Sequence, residues 1–557
     1  MPHSKQSSQD RRLDGWGFLG ESFAASPQLL AWLGERLGST QPFPALDPHA
    51  FEAPPAATLP DLGCAASAAT LDRLAHARGR GFPDLACLRS GALPRLPDAV
   101  VRPQDEAELE TVLAAAGREG LRLIPWGGGT SVTGGVNPPI DPAPVVVVDL
   151  EQFSGLEGLD TVSGLATFGA GSTGPVIETA LAAEGWTLGH FPQSWELSTL
   201  GGWIATRSAG QESLGVGRIE NLVAGLELVA PAGRVTLPTL PASAAGPDLR
   251  QLVLGSEGRF GVITRATVRV HQKPACQRVE AALVPDWESG VAAARALVQG
   301  GVPLRLLRLS DAPETQVAMA VGLARRRFAG LARGWLKLRG IGDGSCLLLL
   351  GASGSHAHAE ATLEAARTVT RPHGVVWLGA GPGRHWLADR FRHPYLRDSL
   401  FDAGYATETL ETAVPWSGVD RVYRAVGEAL AEPAAAGERP TPVLCHLSHP
   451  YRDGVSLYFT FFFRCPPDAD SAVARWAHLK RRANDAIVAA GGTLSHHHGI
   501  GAWHAPWYPQ ETSEGGFQVL RRVADELDPH GVLNPEVLLD RTDRLEQDRL
   551  QAGRSDT

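Results

Sequence analysis

The stretch Pro125–Gly135, PWGGGTSVTGG, has five glycines in eleven residues, and it is the strongest fold signal in the sequence. Glycine lets successive backbone N–H groups turn toward one anion and lets a ligand approach the backbone closely. The stretch is not a P-loop, because no Lys-Ser/Thr pair follows, and it does not match the GxGxxG fingerprint that opens a helix. Taken alone, it predicts either a tight surface turn or a phosphate cradle.

Two further glycine loops favour the cradle. The stretch Pro192–Gly210, PQSWELSTLGGWIATRSAG, has a Gly-Gly pair beside Ser198 and Thr199. The stretch Leu254–Thr264, LGSEGRFGVIT, has three more glycines around Ser256 and Glu257. Three Gly/Ser/Thr-rich loops in one region predict a long, phosphate-bearing cofactor held along its length.

Taken in order, the three loops resemble the FAD-binding domain of the vanillyl-alcohol oxidase/p-cresol methylhydroxylase (PCMH) superfamily. The resemblance implies an α+β fold with a two-part PCMH-type FAD-binding domain, a second α+β substrate (cap) domain, and helical terminal segments. It implies non-covalent FAD, because the loops contain neither the His nor the Cys through which some members attach the flavin. The residues implied to contact FAD are Pro125, Gly127, Gly128, Gly129, Thr130, Ser131, Pro192, Ser194, Ser198, Thr199, Gly202, Glu257, Gly261 and Ile263.

The chain of 557 residues is too long for one simple core, so several domains are expected. Around the first loop the sequence predicts strand, helix, strand and glycine loop, with Asp105 as the helix N-cap. The β-branched run Val145–Leu150 predicts a buried strand. The predicted divisions are a helical and loop region at 1–95, the FAD-binding domain at 96–275, a substrate domain at 276–480, a C-terminal segment at 481–540 and a polar tail at 541–557.

Composition excludes some classes of partner and location. The net charge of -9 argues against nucleic acid, because phosphate backbones require concentrated Lys and Arg. Six scattered cysteines without a CxxC pair are typical of reduced thiols in a cytoplasm. The N-terminus lacks the apolar core of a signal peptide, and no apolar run approaches the length of a membrane span. We therefore predict a cytoplasmic protein, and the sequence leaves its oligomeric state open.

Motifs along most of the chain resemble the alkyldihydroxyacetonephosphate synthase family, and the richness in Ala, Arg and Gly is typical of a GC-rich bacterial genome. The resemblance implies that acyl-dihydroxyacetone phosphate exchanges its acyl chain for a fatty alcohol through an adduct at flavin N5, without net oxidation, in ether lipid synthesis. The matching pieces are DGWGF, the three loops, RLSD at Arg308, PYLRD at Arg397, ETAVPW, SLYFTF at Tyr458 and GGTLSHHHGIG.

The substrate of this reaction carries a phosphate, for which an arginine fork is suited. The candidates are Arg397 and Arg308, although a lone arginine is more often a surface salt-bridge partner. The reaction also needs proton transfer beside a carbonyl. Tyr458 lies in an aromatic strand that by default predicts core, but its match to the family's catalytic tyrosine favours an acid–base role.

The stretch SHHHGIG, Ser495–Gly501, places three histidines in a row. The resemblance implies that they lie near flavin and substrate, where imidazoles can pass protons or bond a carbonyl oxygen. Adjacent side chains of an extended segment point to opposite sides, which favours His497 and His498 over His496. A zinc site and a loop held by histidine hydrogen bonds are the alternatives. We predict no metal cofactor.

Two other functions share these features. One is an FAD-dependent 2-hydroxyacid dehydrogenase of the D-lactate or glycolate type. Such enzymes carry Glu-His before Gly-Ile-Gly and a GHxGDGNLH metal motif, whereas this chain has His497-His498, with Tyr458 near the second motif histidine. The other is a flavin-domain homologue that only binds, against which the intact candidate residues argue. Two positions depart from the synthase pattern: His446 stands in place of Arg, and Val216 lies near a usual Tyr.

A basic segment at Leu323–Gly340, LARRRFAGLARGWLKLRG, has no acidic residue and interleaves Arg and Lys with Leu, Phe and Trp. This pattern is typical of an exposed basic helix, and it is also typical of a segment that binds anionic membrane surfaces. Because both organic substrates are membrane lipids, we predict peripheral membrane contact through this segment.

Overall fold

The computed structural model describes residues 11–323, 334, 336–433 and 439–540. A four-stranded sheet contains Ala66–Ser67, Ala99–Val101, Arg122–Trp126 and Val145–Asp149 (β1 to β4) in the order β1-β2-β4-β3. Strands β2, β4 and β3 run parallel, and β4 is buried along its whole length, as its valine run predicts. The helix Glu106–Glu119 connects β2 to β3, and the Asp105 side chain accepts hydrogen bonds from its first turn. The predicted strand–helix–strand order is confirmed.

A second sheet, antiparallel throughout, completes the region predicted to bind FAD. Its strands lie in the order β5-β6-β10-β8-β9, and each of the two sheets has its own buried apolar core. Strand β10 follows the third glycine loop directly, while the second loop leads into the helix Leu200–Ala205. The strands are Leu156–Asp160 (β5), Leu165–Gly169 (β6), Val223–Ala230 (β8), Gly233–Leu237 (β9) and Val262–Arg269 (β10), and Trp186–Thr187 (β7) pairs separately with His271–Gln272 (β11).

The C-terminal half is built on a seven-stranded antiparallel sheet in the order β15-β12-β14-β13-β17-β18-β16. On one face, apolar residues of alternate strand positions pack against helices in the largest core of the described chain. The opposite face looks toward the glycine loops and carries the polar residues described below. The strands are Cys276–Val284 (β12), Leu306–Ser310 (β13), Cys346–Gly354 (β14), Val376–Gly379 (β15), Tyr405–Pro415 (β16), Val443–Pro450 (β17) and Gly454–Arg464 (β18).

Helices surround the three sheets. The last helix of the described chain begins at Tyr508 and has a kink at Ser513, whose φ is 63°. The longer helices are Pro27–Leu37, Phe82–Ser90, Glu106–Glu119, Gly174–Ala183, Trp287–Gln299, Ala312–Leu323, His356–Thr370, Ala380–Asp389, Val419–Ala431, Ala469–Ala489 and Tyr508–Leu527; the shorter ones are Thr70–Ala75, Leu200–Ala205, Ser213–Val216, Ile219–Leu222, Arg250–Val253 and Leu396–Asp402.

Two predicted features fall largely outside the described residues. They are the polar tail at 541–557 and most of the basic segment Leu323–Gly340, namely residues 324–333 and 335. Among the helices of the described chain, none is long and apolar enough to cross a membrane.

Candidate active site

The three glycine loops meet along one cavity with a volume of about 1760 Å³. Every residue that the sequence predicted to contact FAD lines this cavity, and the cavity also takes in the Asn534 side chain. Backbone-rich walls with hydroxyl donors fit a long, phosphate-bearing cofactor. The lining residues from the loops are Pro125, Gly127, Gly128, Gly129, Thr130, Ser131, Pro192, Ser194, Ser198, Thr199, Gly202, Glu257, Gly261 and Ile263.

The first loop needs glycine for a reason that the sequence did not reveal. A Cβ atom on Gly127 would lie 2.2 Å from Thr199 Oγ1, and one on Gly128 would lie 2.1 Å from the Leu197 carbonyl oxygen. The sequence predicted that glycine is needed here to let the cofactor approach the backbone. The atoms that an added Cβ would contact first belong instead to the second loop. Glycine at 127 and 128 therefore lets the two loops pack backbone to backbone, and this packing shapes the cavity wall.

Glu257 ties the third loop to the end of the histidine stretch. Its carboxylate accepts hydrogen bonds from the backbone N–H groups of Ile500 and Gly501 at 2.7 and 2.8 Å. Burial raises the pKa of Glu257 to about 7, and these two bonds lower it only in part. The Asn534 side chain bonds the carbonyls of Gly135 and Glu257, so it joins the first and third loops. Asn534 lies in VLNPE, which gave no functional signal in the sequence.

On the cavity face of the seven-stranded sheet, four polar residues form a row. Glu411 of β16 lies opposite Tyr458 of β18, which lies opposite His446 of β17, which lies opposite Ser310 of β13. The Tyr458 ring stacks on His446 at 4.8 Å and meets the His498 ring edge-on at 5.8 Å. Burial raises the pKa of Tyr458 to about 12, so its hydroxyl keeps its proton at neutral pH.

The histidine stretch is a turn, so the expectation of an extended segment is wrong. The His498 backbone N–H donates to Ser495 Oγ at 3.1 Å, and successive histidine rings lie 5.3 and 4.7 Å apart. His497 and His498 line the cavity, whereas His496 is buried behind them, with its Nε2 2.5 Å from Tyr451 Oη. Serine at the start of the stretch, which can bond its own following backbone, was the signal for this turn.

Glu411 was missed as a site residue, although it opens the quoted ETAVPW motif. Its carboxylate is fully buried, contacts His497 Nδ1 and lies 3.4 Å from His496 Nδ1. Burial alone would raise the pKa of Glu411, but His497 and His496 hold it well below its usual range. A buried carboxylate among imidazoles thus anchors the turn from the sheet side, and sequence spacing could not reveal it because the partners are far apart in the chain.

The two arginines predicted to bind phosphate both line the cavity but differ in their partners. Arg308 donates to the Glu314 carboxylate at 2.5 Å and contacts both ring nitrogens of His446. Burial would raise the pKa of Glu314, but Arg308 and His446 outweigh it and bring that pKa to about 2. Arg397 donates to the Arg80 carbonyl and lies 3.8 Å from the Glu408 carboxylate. Arg308 is therefore tightly paired, while the ion pair of Arg397 is longer.

Val216, the second position that departs from the synthase pattern, is absent from the residues that line this cavity.

Beyond Tyr458 the cavity continues as an apolar arm over the same sheet face. It is covered by the helices Pro27–Leu37 and Ala312–Leu323. The apolar residues lining the arm are Leu29, Leu283, Val317, Met319, Leu336, Leu347, Leu349, Leu444 and Phe462. A groove of this composition suits a hydrocarbon chain.

Comparison with known proteins agrees with the cradle and the sheet. Residues 97–237 match the FAD binding domain family, and residues 273–538 match the family of FAD linked oxidases, C-terminal domain. The fold and the cradle thus define an FAD-linked enzyme with a PCMH-type FAD-binding domain.

Similar individual proteins indicate which family of FAD-linked enzymes the chain belongs to. The chain is 33% identical over 480 residues to an alkyldihydroxyacetonephosphate synthase of Trypanosoma brucei brucei, covering 84% of this chain and 77% of the relative. It is 32% identical to that of Caenorhabditis elegans, covering 84% of this chain and 80% of the relative. A solved alkyldihydroxyacetonephosphate synthase structure superimposes with a TM-score of 0.82 at 25% identity, covering 95% of this chain and 99% of that one. The chain belongs to the alkyldihydroxyacetonephosphate synthase family, and its cofactor is FAD.

Proposed function

We propose that this protein exchanges the acyl chain of acyl-dihydroxyacetone phosphate for a long-chain fatty alcohol, and so forms the ether bond of an ether lipid precursor. The observation that carries the proposal is one continuous cavity that joins the flavin cradle, the polar row at Tyr458 and an apolar arm. A hydroxyacid dehydrogenase has no use for an apolar arm, because its substrates are small and polar. Membership of the synthase family supports the same reaction.

FAD, when bound in the cradle, would supply an electrophilic ring system for the exchange at the substrate carbon that loses its acyloxy group. We propose that it is held without a covalent bond, because none of the loop residues lining the cavity is His or Cys. Acid precipitation of the purified protein is expected to release all yellow colour into the supernatant. Colour retained by the pellet would contradict non-covalent binding.

The polar row provides groups for proton transfer. Tyr458, protonated at neutral pH, can donate to a substrate oxygen as charge develops there. Glu411 holds Nδ1 of His497, so the remaining ring nitrogen of His497 is the one available to the cavity that this residue lines. A carboxylate that holds one imidazole nitrogen fixes the ring orientation and tautomer, as proton-transferring histidines require. We assign His497 to removing a proton from the substrate carbon that bears the acyloxy group. Tyr458 and His498 are assigned to hydrogen bonds with the substrate oxygens.

Arg397 is the stronger candidate for the substrate phosphate. Its ion pair to Glu408 is long, at 3.8 Å, so an incoming phosphate can compete for the guanidinium. Arg308 is held by Glu314 and His446, and the proposed role of Arg308 is to orient this part of the wall. His446, which stands where the synthase pattern has Arg, thus places an imidazole between Arg308 and Tyr458.

We propose further that the basic segment Leu323–Gly340 brings the enzyme to the membrane surface from which both substrates come. Described residues before and within the segment support this, because Met319 and Leu336 line the apolar arm. Wild-type protein is expected to float with anionic liposomes at low salt and to be released at high salt. A variant with Arg325, Arg326 and Arg327 changed to Glu should stay behind with its FAD bound. Equal flotation of both proteins would contradict the role.

The deciding experiment incubates the FAD-loaded protein with palmitoyl-dihydroxyacetone phosphate and labelled hexadecanol. A labelled ether product with release of palmitate is expected. Tyr458→Phe should abolish most of the product, whereas Tyr405→Phe is the matched control, because the Tyr405 hydroxyl bonds the Gly38 carbonyl away from the cavity. Bleaching of the flavin by D-lactate without ether formation would show a hydroxyacid dehydrogenase instead.

A further inference from the structure

Glu411, His449, His496 and His497 form a compact group beside the cavity, which we call the His–Glu cluster. Their ligand atoms all lie within 4.8 Å of one another. We propose that the His–Glu cluster binds one Zn²⁺ ion, and that zinc bound at His497 Nδ1 stops the exchange reaction, because the ring then carries its proton on Nε2 and cannot remove one from the substrate. The zinc site stands on the cluster alone, while the effect on exchange rests on the proposed function.

The donor atoms have the identity and spacing of a zinc site. Glu411 Oε1 lies 3.4 Å from His496 Nδ1 and 3.9 Å from His449 Nε2, and the Nδ1 atoms of His496 and His497 are 3.1 Å apart. With bonds of 2.0–2.2 Å to a tetrahedral ion, neighbouring donors are about 3.4 Å apart. Imidazole nitrogen and carboxylate oxygen are both common zinc ligands. The closer contact between Glu411 and His497 has to open slightly to admit the ion.

Residues around the cluster orient its donors. Tyr451 Oη bonds His496 Nε2 at 2.5 Å, which leaves His496 Nδ1 facing Glu411. Ser448 Oγ lies 3.3 Å from Glu411 Oε1. Outer partners of this kind hold ligating histidines and carboxylates in place. In the described part of the chain, His449 Nδ1 has no hydrogen-bond partner although the side chain is buried, and His449 Nε2 faces the Glu411 carboxylate.

The cluster borders two cavities and does not use the histidine positions of the metal motif of hydroxyacid dehydrogenases. His497 lines the main cavity, and a small cavity of about 40 Å³ is bounded by His449, His497 and Tyr458. A path for the ion is a requirement of any proposed metal site. Tyr458, which lies near the second histidine position of the dehydrogenase motif, contacts His446, and both residues lie outside the cluster.

Zinc binding can be measured without any activity. The FAD-loaded protein is titrated with ZnCl₂ by calorimetry, and metal content is determined after dialysis. One tightly bound equivalent is expected. His449→Asn should weaken it by at least about tenfold, because loss of an outer partner alone costs that much. The control is His356→Asn at an exposed helix start, which should bind zinc as wild type does.

Circular dichroism and FAD content establish that each variant is folded, and Glu411→Gln provides a second ligand variant of unchanged size. The absence of a tight equivalent in wild type, or equal binding by both ligand variants and wild type, would overturn the site.

The consequence for exchange is tested separately, with each variant's rate expressed relative to its own zinc-free rate. Stoichiometric zinc should inhibit wild type, a chelator should restore it, and His449→Asn should need at least about tenfold more zinc. Undiminished exchange by zinc-loaded wild type would refute the inhibition. If no exchange is seen even without zinc, the proposed function fails, while the binding measurement still decides the site.

Discussion

Replacing Gly128 by alanine should weaken FAD binding through the packing of two loops. The new Cβ would lie 2.1 Å from the Leu197 carbonyl oxygen and 2.8 Å from Ser198 Cα. A close C···O contact is about 3.3 Å, so the loops must separate by roughly 1.2 Å. Because Gly128 is not among the glycines with positive φ, the effect is a clash between loops and not backbone strain.

The size of the effect follows from the cost of overpacking. Inserting a methyl group into a well-packed contact costs about 1 to 3 kcal/mol. If the two loops separate in the FAD-free protein and must be brought together again to bind FAD, this cost lowers the affinity for FAD. The affinity should then fall roughly five- to hundredfold, since about 1.4 kcal/mol corresponds to tenfold. Thermal denaturation of the FAD-free proteins separates a general loss of stability from a loss of binding.

The assay is a fluorescence titration of FAD-free protein with FAD, together with the FAD content of the protein as purified. Gly158→Ala is the matched control, because a Cβ at Gly158 meets nothing within 4 Å and the residue lies in an exposed part of β5. The control should bind FAD as wild type does. Wild-type affinity in Gly128→Ala would refute the idea that contact between the two loops shapes the FAD site.

Three further predictions concern single side chains. Tyr458→Phe removes only a hydroxyl, so folding and FAD content should persist while exchange falls by about a hundredfold or more; near-normal exchange would remove Tyr458 from the reaction. Arg397→Lys should raise KM for acyl-dihydroxyacetone phosphate more than it lowers kcat, since an ammonium cannot replace the planar fork; an unchanged KM would place the phosphate elsewhere. Glu257 has a folded pKa of about 7, above its ordinary 4.5, so its bound proton stabilises the fold below about pH 4.5 and this contribution is lost as the pH rises through about 7. The free energy of unfolding of wild type relative to Glu257→Gln should therefore fall by about 3 kcal/mol between these limits, and a constant difference in chemical denaturation at pH 5 and 8 would contradict the shift.

The cofactor-binding loops could be predicted from the sequence because the residues that identify them are close together in the chain. Glycine at 127 to 129, hydroxyl residues beside them and the order of three loops identify a backbone-built site, and each loop keeps its character wherever it lies in space. The strand Val145–Asp149 and the helix Glu106–Glu119 were also local predictions, fixed by a β-branched run and by the Asp105 cap. Motif order along the chain further indicated the synthase family.

The partners of the active-site residues were decided by contacts between distant parts of the chain. Glu411 and His497 are 86 positions apart and meet only because β16 lies beside the returning histidine turn. Register across β16, β18 and β17 lines up Glu411, Tyr458 and His446, and strand order cannot be read from one strand's composition. Gly128 illustrates the same limit, since its sequence predicted close approach but only the fold identified Leu197 as the neighbour. Residue types follow from the sequence, whereas their partners depend on long-range packing, which the local pattern does not encode.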